Sequence, residues 1–233
     1  MAAHGVYGSF LLGFFFIVVA VCSPLLVFLG ANAVLISDTA SISALASRTA
    51  TPQLAEPPIG DSEALAVSSE VVNYVRGGPE ISHKSYFQEE ELLHLSDVRN
   101  VISRSFLLLK ILEAAIVSSL GGAFALTRSS AVARQRFLRK SLFAAGVGTL
   151  ALAILACVAF LSFDSSFTAF HLVFFQNSQW QFPYSFAIVN LFTPGFFAAM
   201  ARSIVVASSA VAVILLVAGF ALARFKAGLK HES

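Results

Sequence analysis

Gln88-Glu89-Glu90-Glu91-Leu92-Leu93-His94-Leu95-Ser96-Asp97-Val98-Arg99-Asn100-Val101-Ile102 decides the fold of this chain. The stretch is charged and helix-forming, and no proline or glycine separates it from the apolar run Ser105 to Leu126 that follows. It therefore reads as the first half of one long helix that leaves a membrane and continues outside it. Glu90, His94, Asp97, Val98 and Val101 recur at spacings of three and four, so they share one helical face. Ser85 is a fair N-cap, and the acids Glu89 to Glu91 suit a solvated helix start, where the dipole favours negative charge.

The rest of the chain agrees with a membrane setting. Of its 233 residues 57% are apolar and 12% charged, and 23 are phenylalanine, a balance too oily for an ordinary soluble domain. A bilayer core of about 30 Å takes roughly 20 apolar residues in a helix. Four stretches qualify: residues 7–31, 105–126, 141–163 and 203–223.

Charge placement orients them. Arg128 to Lys140 holds five basic residues and no acid, and Arg224, Lys226 and Lys230 follow the last span, so both stretches are expected inside. Asn32 to Arg104 holds ten acids against five bases, and Asp164 to Arg202 has no Lys or Arg before its last residue. Both are expected outside. The expected fold is thus an all-α membrane protein in one domain, with four transmembrane helices, cytoplasmic termini and an extracytoplasmic cap. The cap is formed by loop 32–104, including the extension of the second span, and by the aromatic segment 164–202. The first span reads as a retained anchor rather than a cleaved signal, being long and without a small-residue cleavage pattern. Cys22 and Cys157 fall inside spans, where a thiol packs as a small apolar group.

Within the cap, Ser37 to Pro58 shows little periodicity and three prolines, and reads as an irregular loop. Asp61 to Arg76 places Ala64, Leu65, Val67, Val71, Val72 and Val75 at helical spacing and should stop at Gly77-Gly78-Pro79. Gln176-Asn177-Ser178, Pro183 and Thr193-Pro194-Gly195 break the aromatic segment into pieces that cannot sit bare in lipid. Thr193-Pro194 reads as the start of the last helix. Lys110 and Glu113 lie inside the second span. Snorkelling of Lys110 with pairing to Glu113 is the plain account of them, a functional role the sharper one.

Among five histidines, His4, His83 and His231 are expected to be solvated. His94 and His171 are apolar-flanked and fall on the same side of the membrane. A ring among phenylalanines needs a partner for its nitrogens. Each could be a structural interfacial residue. Two together, with Asp97 three residues past His94 to hold its tautomer, suit acid–base chemistry instead. Asp97 could equally pair with Arg99 or Arg104 at the surface. No zinc-protease, serine-hydrolase, phosphate-loop or paired-cysteine motif is present, and no metal or cofactor is expected.

Glu91-Leu92-Leu93-His94-Leu95-Ser96-Asp97-Val98-Arg99, with Phe170-His171-Leu172-Val173-Phe174-Phe175-Gln176-Asn177 and Trp180, resembles the bacterial lipoprotein intramolecular transacylase family. That resemblance implies a four-span enzyme of the bacterial plasma membrane whose site faces outward. It implies transfer of the sn-2 acyl chain of a diacylglyceryl-modified lipoprotein onto the α-amino group of the same cysteine, giving the lyso form. The key histidines fall on His94 and His171. The partners implied are a diacylated lipoprotein and membrane lipid, with no separate lipid donor and no nucleic acid. Either a base for direct attack or a transient acyl-histidine would serve. Arg99, Asn177 and Trp180 are candidates for oxyanion or substrate contacts, Arg99 equally for a surface charge. A non-catalytic four-span scaffold and a metal-dependent membrane hydrolase are the alternatives from other classes.

Overall fold

A computed structural model of the chain describes residues 2–175 and 180–228, and the side chains of residues 7–175 and 180–224. Among the described residues there are helices and turns and no strand. The helices are α1 (Ala2–Ser37), α2 (Thr39–Thr49), α3 (Asp61–Val75), α4 (Glu89–Leu126), α5 (Ala131–Leu161), α6 (Phe163–Phe174), α7 (Ala187–Leu191) and α8 (Pro194–Gly228). Of these, α1, α4, α5 and α8 are long and apolar enough to cross a membrane. The chain divides into two compact units, one of residues 1–31, 108–156 and 205–233, the other of residues 32–107 and 157–204.

The first unit is built from spanning helices that meet through small residues. A Cβ on Gly146 of α5 would lie 2.7 Å from Leu216 Cγ of α8, and one on Gly148 would lie 2.6 Å from Pro24 of α1. These glycines let the backbones approach where lipid offers no hydrophobic drive between helices. Phe143 meets Phe220 edge-on at 4.8 Å, and the Gln135 side-chain amide donates to the Leu222 carbonyl at 2.8 Å. On the remaining faces large apolar side chains such as Phe10, Ile17, Ile154, Val206 and Ile214 point outward, as a lipid-facing surface requires. Gly146→Val should lower the unfolding midpoint in detergent. Overpacking costs about 1–3 kcal/mol, more than the roughly 0.5–1 kcal/mol a helix gains by losing a glycine. Gly121→Ala, where no atom lies within 4 Å of the added Cβ, should leave stability unchanged or raise it.

The second unit has a core of its own. Ala64, Val67, Val71, Tyr74 and Val75 of α3 pack with Ile59, Ile81, Phe87, Leu95, Ala187 and Leu191. Helix α3 follows the apolar spacing and ends where the glycines demand. Gly77 adopts φ 97°, its N–H donates to Tyr74 O, and Gly78 N–H donates to Asn73 O, both at 2.9 Å. That double bond satisfies the last carbonyls of the helix.

Several expectations need correction. Ser37 to Pro58 is largely helical. Helix α1 runs on to Ser37, and Asp38 then caps α2 by accepting from Ser41 N–H at 3.1 Å. Ile42, Ser43 and Ala46 form the buried stripe of α2, which is too short and too small-sided to register as periodic. Ser85 does not cap α4. Lys84–Tyr86 make a 3₁₀ turn, and α4 opens at Glu89 with Gln88 N–H bonded to the Glu91 carboxylate at 2.7 Å, half of a capping box. The start of α4 is not wholly solvated either, since Glu91 is fully buried.

His83 is partly exposed, in keeping with a solvated ring, and also has a carboxylate partner. Its ring sits 2.9 Å from Glu70, whose other oxygen accepts from Ser82 and His83 N–H. Burial opposes ionisation of Glu70, but hydrogen bonds from the His83 ring and the two N–H groups outweigh it and lower its pKa. Lys110 and Glu113 are both exposed, and no ion pair joins them among the described residues. Thr193 does open α8, its hydroxyl accepting from Phe196 N–H at 3.4 Å, with Pro194 as first residue. The His4 side chain and all of His231 lie outside the described residues.

Candidate active site

His94 stands in the charged first part of α4, ahead of the apolar stretch 105–126, and His171 in the last turn of α6. Helix α6 forms because Phe163, Phe167, His171 and Phe175 recur every four residues. Their rings follow one another along one face, Phe163 to Phe167 at 5.7 Å, Phe167 to His171 at 4.1 Å and His171 to Phe175 at 5.2 Å. The helix ends as Phe175 N–H bonds to His171 O at 2.8 Å.

Both imidazoles lie in the second unit, and they meet. Their ring centroids are 5.9 Å apart and their planes within 22°. His94 is 5% exposed and His171 7%. Phe175 touches both, at 4.8 Å from His94 and 5.2 Å from His171. Phe182 meets His94 edge-on at 5.5 Å, and Trp180 stacks on His171 at 4.6 Å. Two titratable rings in an aromatic enclosure are the environment in which burial disfavours the imidazolium.

The nitrogens are not equivalent. His171 Nδ1 lies 2.8 Å from the Phe167 carbonyl. A neutral ring bonded in this way carries its proton on Nδ1 and leaves the Nε2 lone pair free. Burial holds the His171 pKa below the ordinary histidine value, and the Phe167 bond only partly restores it. His94 Nδ1 is buried without a hydrogen-bond partner among the described residues. An unmatched lone pair is cheaper to bury than an unmatched N–H, so the proton of neutral His94 belongs on Nε2. One ring thus offers a base and the other a donor.

Burial pushes the His94 pKa down to about 4, the charge of His171 adds to this, and Asp97, half-buried one turn beyond, only partly opposes it. Trp180 joins the pair directly. Arg99 does not; its guanidinium lies over the Tyr74 ring of α3 at 4.8 Å, a cation–π contact. Asn177 lies outside the described residues. Phe182 was not singled out by its sequence position, since a phenylalanine before Pro183 in an aromatic-rich segment looks like any other. Among the described residues no group of three or more His, Cys, Asp or Glu could hold a metal ion.

No curated protein matches the chain. Three solved structures do, all of the membrane integral lipoprotein intramolecular transacylase Lit from Bacillus cereus. The first aligns with a TM-score of 0.74 at 17% identity over 97% of this chain and 100% of that one. A histidine-to-arginine mutant aligns at 0.72, 17%, 97% and 98%. A histidine-to-alanine mutant aligns at 0.68, 17%, 96% and 98%. At such identity the likeness speaks for the fold. The sequence speaks for more, because residues 16–197, well over half the chain, match the family described as lipoprotein intramolecular transacylase Lit, and to that family the chain belongs.

Proposed function

We propose that this multi-pass membrane protein moves the sn-2 acyl chain of a diacylglyceryl-modified lipoprotein onto the α-amino group of the same cysteine, through His94 and His171, at the extracytoplasmic face. The observation that carries the reading is the pair itself, two complementary imidazoles facing each other in an apolar enclosure. Family membership supports intramolecular transacylation; the sn-2 position is what the resemblance to that family implies, and the residue roles rest on the chemistry of the pair.

His171 Nε2 takes a proton from the attacking amine as the N–C bond forms at the ester carbonyl. The resulting oxyanion accepts a hydrogen bond from His94 Nε2–H. Collapse breaks the C–O bond to the glyceryl oxygen, which receives the proton back from His171. Atoms balance with no water and no second lipid, and the product has the mass of the substrate. Asp97 opposes loss of the Nε2 proton from neutral His94 and so keeps that ring a hydrogen-bond donor to the oxyanion rather than a proton source. The outward side chains of α6, Leu172 at 68% exposed, Val173 at 74% and Phe174 at 51%, give acyl chains an apolar surface beside His171.

Purified protein in lipid, with a synthetic diacylglyceryl lipopeptide, tests the reading. Equal amounts of a light peptide and a heavy peptide bearing deuterated sn-2 chains should yield N-acylated products without exchange of label. Products with crossed label exclude intramolecular transfer, and no product from the purified protein supports a scaffold role.

The pH profile has two sources, because the His171 base and the attacking α-amino group must both be neutral. The amine ordinarily titrates at about 7.7–8.0 and sets an acid limb of its own, whereas burial holds the His171 pKa below the ordinary histidine value of about 6.5. A further limb at or above about 6.5 that is present in the unaltered protein and absent from the residual activity of His171→Asn would contradict base action by a His171 of lowered pKa.

A further inference from the structure

Glu91 is a carboxylate with no exposed surface, and no cation pairs with it among the described residues. Backbone amides hold it instead. One oxygen accepts from Gln88 N–H at 2.7 Å and the other from Ile188 N–H, also at 2.7 Å and 97 residues away, with Ala187 N–H contributing. These donors are the orphan amides of the first turns of α4 and α7. The N-cap of α7 is Phe186, which has no side-chain cap bond. A single carboxylate therefore caps two helices and ties them together.

The tie leads to the imidazole pair by two short routes. Along α4, Glu91 is one turn from His94. Through α7, Phe186 stacks on Phe182 at 5.6 Å, and Phe182 meets His94 at 5.5 Å. The turn between cannot absorb a displacement freely. The Asn190 amide donates to Tyr184 O at 2.6 Å and Phe186 O at 2.9 Å, while its oxygen accepts from Thr51 Oγ1 at 2.8 Å. Glu91, α7, Phe186, Phe182 and His94 form a closed loop of contacts.

We propose that Glu91 is a positioning residue for the transfer reaction: by pinning the start of α7 to α4 it fixes the Phe182 ring against His94 and so sets the orientation of that imidazole. The proposal rests on the reading that His94 acts on substrate. Glu91 touches no reacting atom.

Glu91→Gln keeps the volume but can accept only with its one oxygen, and its NH₂ faces a backbone donor. One of the two clamps is lost. The kcat for N-acylation should fall by about tenfold or more with KM little changed, since small misplacements of catalytic groups cost up to roughly a hundredfold. In ¹⁵N-histidine spectra the His94 ring signals should move while those of His83 stay. Phe182→Leu should reproduce both effects, and the double variant should lose no more than the worse single, because the two act in series. Additive losses, unchanged His94 signals in folded Glu91→Gln, or full kcat in that variant each overturn the proposal. If Glu91→Gln does not fold, Phe182→Leu decides alone: unchanged kcat and unchanged His94 signals overturn it. The spectra need no turnover, so absence of activity in the unaltered protein would count against the transfer reading and leave the positioning arm to be judged on its own.

Discussion

His171→Asn should reduce the rate of N-acylation by about 10²–10⁴-fold, the usual contribution of a positioned general base, with folded protein recovered in normal yield. Asparagine separates the two jobs of the imidazole. Its side-chain N–H falls near the place of Nδ1 and can still donate to the Phe167 carbonyl, which His171 Nδ1 holds at 2.8 Å. Nothing in asparagine replaces the lone pair on Nε2. A merely structural His171 would tolerate this change, because the ring stack of Phe167, Trp180 and Phe175 around it keeps its anchor. Rates measured on lipopeptide by mass spectrometry, beside unfolding curves of the same preparations, distinguish the two. His171→Gln, which places an amide near Nε2, should be as inactive, since an amide nitrogen is no base.

The second large effect belongs to His94. His94→Ala should lower kcat by about 10²–10³-fold, as removal of one oxyanion donor does elsewhere. His94→Gln should lose less, because its NH₂ reaches the position of Nε2–H and still donates. The opposite order, with alanine better than glutamine, would show that His94 is not a donor. Both variants should keep the ordinary KM, because a bond made only to the oxyanion leaves ground-state binding alone. The double variant with His171→Asn should fall short of the product of the two losses, as groups that serve one step are not additive.

What was legible in the sequence had local causes. The four spans follow from apolar runs, the end of α3 from Gly77 and Gly78, and the start of α8 from Thr193 and Pro194. Each rests on residues within a few positions of one another. His94 and His171 stood out because a histidine among apolar neighbours asks for a partner, and the structure places the two rings together. Helix α2 was hidden because its buried stripe of Ile42, Ser43 and Ala46 is short and small-sided and its Ser and Thr residues also suit turns, although Asp38 with Ser41 is a cap. Glu91 looked like one more acid in a solvated turn. Its burial depends on Ile188, far along the chain, and no local pattern carries that information. Spacing alone left Arg99 between the site and the surface. Its contact with Tyr74 of α3 beneath the guanidinium is long-range, and no local pattern signals it. Lys110 and Glu113, three apart on one helix, had the spacing of a pair, yet both point outward unjoined.

Tandem mass spectrometry of one lipopeptide, incubated with the purified protein and with its His94→Ala and His171→Asn variants, tests the imidazole pair most directly. The unaltered protein should give a product of unchanged parent mass whose fragments carry one acyl group on the cysteine nitrogen and one on the glyceryl unit, and neither variant should give more than traces of it. Near-normal formation of that product by either variant, or loss of a free fatty acid in place of an unchanged mass, would contradict the account.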